Sequence, residues 1–145
     1  MVEVIGGGAV ARGINPRKAN GHRRRVLCSR VLARDQSCWI CGLPIDRTLP
    51  NLHPCQGVVD ELTPISRGGS PYQEGNCAGA HRCCNGWRKT KSVETVQMIK
   101  RLVLQSGARW QTPQQFVTLA KAAEQAARKQ TQTVAFVPPK TTTNW

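Results

Sequence analysis

The sequence predicts a small α+β domain stapled by zinc. Three observations carry this: two Cys/His pairs of metal-ligand spacing, a β-branched strand between them that runs into proline and glycine turns, and helical periodicity on either side. With 145 residues the chain is sized for one core with appended ends.

Taken in order, the glycine run from Gly6 to Gly13 invites a phosphate-loop reading. Ile14 and Asn15 follow where such a loop needs Lys and a hydroxyl residue, so residues 1–16 are expected to form a flexible arm. Residues 17–34 are basic, and Val26, Leu27, Val31 and Leu32 recur at helical spacing. This basic helix should turn its apolar edge inward and offer Arg23, Arg24 and Arg25 to phosphate; His22 belongs to it, and His53 falls in a loop. Together with the metal-bearing segment it makes up residues 17–91. Within residues 92–130, Val93, Val96, Ile99, Leu102 and Val103 mark an amphipathic helix ending near Gly107. Thr112-Pro113-Gln114-Gln115 then combines an N-cap, a first-turn proline and a capping-box Gln, predicting a second helix to about Lys129. The Thr-, Pro- and Lys-rich residues 131–145 show no periodicity and are expected to be extended or disordered.

Composition narrows function. Lys and Arg number 21 against 8 Asp and Glu, a net charge of +13 that favours a polyanionic partner, nucleic acid foremost. No stretch approaches the apolar length of a spanning helix, and no basic helix has a clean hydrophobic face, so a membrane partner is not expected. The opening Met1-Val2-Glu3-Val4-Ile5 lacks the basic start of a secretory signal, which predicts an intracellular protein. Aromatic residues are only 5%, so burial needs reinforcement, and seven cysteines without an export signal point to metal ligation rather than disulfides.

Cys38-Trp39-Ile40-Cys41-Gly42 is a zinc-knuckle sequence, in which the two-residue gap lets both thiolates reach one ion. His81 and Cys84 repeat the spacing. The expected structural zinc ligands are therefore Cys38, Cys41, His81 and Cys84, with Cys77 and Cys83 as rivals near enough to compete.

Between the pairs lies Val58-Val59-Asp60-Glu61-Leu62-Thr63-Pro64-Ile65-Ser66-Arg67-Gly68-Gly69-Ser70, and beyond it Asn76 and Ala80-His81-Arg82-Cys83-Cys84-Asn85-Gly86-Trp87-Arg88-Lys89. Over about residues 35–91 this arrangement resembles the HNH family of ββα-metal nucleases, particularly the small HNH proteins of actinobacterial phages. The resemblance implies a zinc-stapled ββα-metal core with flanking helices, and a metal-dependent endonuclease that hydrolyses DNA in the cytoplasm of a bacterial host. It implies a place in phage genome processing or packaging, beside a terminase. Residue by residue, it makes Asp60 the acidic metal ligand, Asn76 the middle Asn and Asn85 the third active-site position. Glu61 stands where the family carries its histidine base, a departure shared by phage members with Asp-Glu at these places.

The residues support a divalent site by their chemistry. Phosphodiester hydrolysis needs charge neutralised on the phosphate and a water made nucleophilic, and a hard cation serves both needs. Two carboxylates and the Asn85 oxygen suit Mg²⁺ or Mn²⁺. Neighbours in a strand face opposite sides, so Asp60 and Glu61 can share one site only if the strand twists or ends there. Arg67, Arg82, Arg88, Lys89 and Lys91 are expected to neutralise phosphates around the cleft. A rival function keeps the same zinc and the same charge without catalysis: a DNA- or protein-binding module derived from an HNH fold.

Overall fold

A computed structural model describes residues 15–134 of the chain. The order is α1 (Pro16–Ala19), α2 (Gly21–Arg34), β1 (Gly57–Glu61), β2 (Cys77–His81), α3 (Arg82–Arg88), α4 (Val93–Gln105) and α5 (Pro113–Val134). The class is α+β as expected. Its sheet has two antiparallel strands, with Gly57 opposite His81 and Glu61 opposite Cys77.

The basic stretch is two helices, not one, and the first begins at Pro16, inside the segment expected to be an arm. Asn20 causes the break: its side chain accepts from the Arg23 amide at 3.0 Å and caps α2, while Asn15 caps α1 in the same way through the Arg17 amide at 3.0 Å. Tyr72 holds the junction from the β1–β2 loop, its hydroxyl accepting from the Asn20 amide at 3.0 Å and donating to the Pro16 carbonyl. The rest of the expected arm, residues 1–14, lies outside the described residues.

The sheet is packed on two sides. Leu27 and Val31 of α2 meet Cys77 and Val59, whereas Ala80 joins the larger core of Ile40, Trp87, Val96, Ile99, Phe116 and Ala120 around the knuckle. Phe116 is the hinge of that core, edge-on to Trp87 at 5.7 Å and to Trp110 at 4.9 Å between ring centroids. The Trp110 indole donates to the Cys41 carbonyl at 3.0 Å, tying the α4–α5 connection to the knuckle.

The capping box forms as the sequence predicts: the Gln115 amide donates to Thr112 Oγ1 at 3.2 Å, and Gln115 Oε1 accepts from the Thr112 amide at 3.3 Å. The helix then runs past Lys129 to Val134, taking in four residues expected to be extended, Thr131 to Val134. Thr131 and Thr133 turn their hydroxyls to the carbonyls of Ala127 and Lys129, each at 3.0 Å, and so tolerate the helix. The remainder of the expected tail, residues 135–145, lies outside the described residues. No helix among the described residues is long and apolar enough to cross a membrane.

A candidate metal centre and the cleft it frames

The knuckle begins directly after α2 and folds back on the sheet. A bridge between Ser37 and Pro44 closes it, Gly42 takes the left-handed turn at φ 81°, and the Trp39 amide donates to the Gly79 carbonyl of β2 at 3.1 Å. Cys38 and Cys41 are thereby carried to the point where β2 ends and α3 begins, at His81 and Cys84. The donor atoms of Cys38, Cys41, His81 and Cys84 all lie within 4.8 Å of one another, and all four residues are buried. A zinc tetrahedron with bonds of roughly 2.0–2.3 Å has edges of roughly 3.5–3.8 Å, so the four fit one ion with small adjustment.

Histidine orientation supports that fit. Nδ1 of His81 faces the Cys41 sulfur at 3.3 Å, while Nε2 lies 3.0 Å from the Pro44 carbonyl, the outward hydrogen bond that orients a metal-bound imidazole. Burial pulls the His81 pKa down, but the Cys38 and Cys41 sulfurs outweigh it and raise it to about 10, while sulfur neighbours push the Cys38 thiol down and the Cys84 thiol up. Without a cation these groups share protons; a bound one would displace them. The rivals do not join. Cys77 packs under α2 against Leu27 and Val31, and half-buried Cys83 lines a different cavity.

β1 ends at Glu61, which meets the condition that alternation imposes on two neighbouring carboxylates. Asp60, Glu61 and Asn85 line one cavity of about 390 Å³, with Arg17 and Lys89 on its walls. Asp60 is fixed through one oxygen: Oδ2 accepts from the Trp39 indole at 3.0 Å and from Arg88 Nη1 at 2.6 Å. No hydrogen bond from the described residues reaches Oδ1. Burial pushes the Asp60 carboxyl up, against the pull of Arg88 and Trp39.

Glu61 is held differently. Arg24 Nη2 donates to Oε1 at 2.7 Å, Arg17 Nε donates to the same oxygen at 3.1 Å, and Arg17 Nη2 pairs with Oε2. Burial alone would raise this carboxyl; the two guanidinium groups more than offset it and hold it below the ordinary value. The pair is unequal, since the Arg17 side chain is 52% exposed and that of Arg24 only 12%.

Three expected site residues take other parts. Arg88 is fully buried and contacts no solvent: Nη1 also donates to the Glu61 carbonyl at 2.6 Å, Nη2 to that of Leu62 at 2.5 Å and Nε to that of Lys91 at 3.0 Å. It is a strut beneath the cleft, not a phosphate contact. Arg24 likewise points inward, to Glu61 and to the Pro71 carbonyl. Asn76 is not among the residues that line this cavity and positions the β1–β2 loop instead: Oδ1 accepts from the Thr63 amide at 2.8 Å, and Nδ2 donates to the carbonyls of Thr63 at 3.0 Å and Ser70 at 3.2 Å. Gly69 is required there, because a Cβ would fall 1.7 Å from the Thr63 oxygen. Of the remaining cations, Arg25, Arg67, Arg82 and Lys89 are exposed, and Arg23 is exposed over the Tyr72 ring at 5.0 Å. Lys91 is half-buried and donates to the Trp87 carbonyl at 2.9 Å.

No protein-family model matches this chain, and neither the curated proteins nor the solved structures provide a match.

Proposed function

We propose that the zinc-framed cleft hydrolyses phosphodiester bonds of DNA with the help of a bound Mg²⁺ or Mn²⁺. The observation that carries this is the meeting of Asp60, Glu61 and Asn85 in one cavity, beside an exposed Lys89 and at the end of β1, whose partner strand β2 carries His81 of the Cys/His cluster. Hard oxygen donors suit those ions, and Asp60 Oδ1 and the half-buried Asn85 side chain are the groups that fit as ligands. When bound, such a cation supplies charge neutralisation on the phosphate and lowers the pKa of water.

The chain's own residues do the rest. Trp39 and Arg88 lock one Asp60 oxygen and leave the other without a hydrogen bond from the described residues. Lys89 neutralises a phosphate at the rim. Glu61 neither binds a cation nor takes a proton while both of its oxygens are engaged by Arg17 and Arg24. Arg17 is the partner that can leave, because its side chain is 52% exposed and water can solvate the freed guanidinium, whereas Arg24 is only 12% exposed. Freed from Arg17, Glu61 completes the ligand set, and Arg17 stands beside the phosphate it can then neutralise.

That double clamp on Glu61 is also the observation that favours the second reading, a non-catalytic zinc module that binds DNA or a protein. Supercoiled plasmid incubated with Mg²⁺ or Mn²⁺ separates the two. Catalysis predicts cutting by the wild type, loss with Asp60→Ala, and retained or increased cutting with Glu61→His. Failure of both wild type and Glu61→His with either metal, on DNA they demonstrably bind, assigns the binding module.

A further inference from the structure

A second cavity, of about 490 Å³, lies between α3 and α5 and shares Gly86 and Lys89 with the cleft. Lys91, Lys121 and Arg128 add their charges to that of Lys89, against the single carboxylate Glu124. Glu124 pairs with Lys91 at 3.7 Å and with Arg128 at 2.8 Å, which leaves Lys89 and Lys121 without a carboxylate partner among the described residues. Trp87 also lines this cavity, and its buried indole N–H has no hydrogen-bond partner among the described residues.

The ridge between the two cavities breaks local rules twice. Gly86 sits inside α3 with no positive φ, and a Cβ built there meets nothing within 4 Å among the described residues, so none of them requires a glycine that weakens the helix. Three residues on, Lys89 adopts φ 54° and ψ −114°, a conformation suited to glycine, yet carries a long cationic side chain. A bare residue where a side chain is free to stand, followed by a side chain where glycine would be relaxed, is the pattern of a ridge shaped for something crossing it from outside.

We infer that a DNA strand leaving the cleft crosses α3 over Gly86 and places a flanking phosphate in the α3–α5 cavity, where Lys89 and Lys121 neutralise it. This deepens the nuclease reading and rests on its premise that the chain binds DNA. Both cations, unpaired among the described residues, point to phosphate, and close backbone approach explains the glycine as no contact among those residues does.

Binding of a labelled 20-base-pair duplex to the full chain, by fluorescence anisotropy across a salt series without added Mg²⁺ or Mn²⁺, tests the track. Gly86→Leu should melt at or above the wild-type temperature yet bind about tenfold more weakly, a combination that a structural role for the glycine does not produce. Lys121→Ala, an exposed change, should reduce the slope of log K against log salt by about 0.9, as expected for one lost phosphate contact. Wild-type-like binding and salt slope in both variants overturn the track while leaving DNA binding intact. A lower melting temperature for Gly86→Ala would give the glycine an internal purpose and overturn it as well. A wild type that binds no duplex at low salt removes the parent reading and this inference together.

Discussion

Replacing Arg88 by Met should destabilise the domain severely, although sequence alone places this arginine among surface cations. The substitution keeps an unbranched apolar stem but leaves the buried Asp60 carboxylate without its partner and strips donors from the carbonyls of Glu61, Leu62 and Lys91. Breaking a buried pair from one side costs about 3–5 kcal/mol, and the orphaned carbonyls add to it to the extent that water fails to reach them. For a domain of this size that is a fall in Tm of roughly 10–20 °C, readable by circular dichroism or scanning calorimetry. The loss should shrink in acid. Burial already pushes the Asp60 pKa up, so its ionised form opposes folding above the unfolded value, and this cost disappears once the carboxyl is protonated at low pH. A variant melting within about 3 °C of wild type, with a DNA salt slope reduced by about one, would instead make Arg88 a phosphate contact and refute the strut.

Other expectations follow from the same geometry. Arg17→Ala should tighten Mn²⁺ binding, read by electron paramagnetic resonance of free Mn²⁺, because it removes the cation that engages both Glu61 oxygens and leaves only Arg24 on Oε1; unchanged or weaker binding would show that Arg17 does not block the site. The Glu61 pKa is held below its ordinary 4.5, so its contribution to stability is complete above that pH and is lost as pH falls through the folded value; Glu61→Gln should flatten the acid side of the stability profile, and an unaltered profile would contradict the clamp. Asn76→Ala should cost about 1–3 kcal/mol and open residues 63–70 to limited proteolysis, whereas normal stability with lost cutting would return Asn76 to the chemistry.

The local grammar of the chain was readable. C-x-x-C and H-x-x-C spacing identified four residues that the fold brings together, because a two-residue gap fixes where ligands can meet whatever encloses them. The Thr112–Gln115 capping box and the Gly107 helix end are decided within a turn of their own residues and formed as read. What could not be read is how the carboxylates are satisfied. Arg17, Arg24, Trp39 and Arg88 reach Asp60 and Glu61 from 21 to 44 positions away in the chain, and neither periodicity nor spacing distinguishes an inward arginine from its solvated neighbours. The one available signal was charge balance: buried carboxylates in an acid-poor chain need cationic partners, and Arg17, Arg24 and Arg88 were among many candidates. Asn20 split the basic helix because a cap prefers a position at which a long periodic pattern gave no reason to stop.

Cys38, Cys41, His81 and Cys84 are placed to hold one ion that joins the knuckle to the β2–α3 corner, and that joint should hold the cleft in shape. Native mass spectrometry of the purified chain, paired with thermal melting, decides this. One zinc per chain is expected, lost in Cys84→Ser together with the cooperative melting transition. Metal-free protein that melts cooperatively at the same temperature as the zinc-loaded form would contradict it.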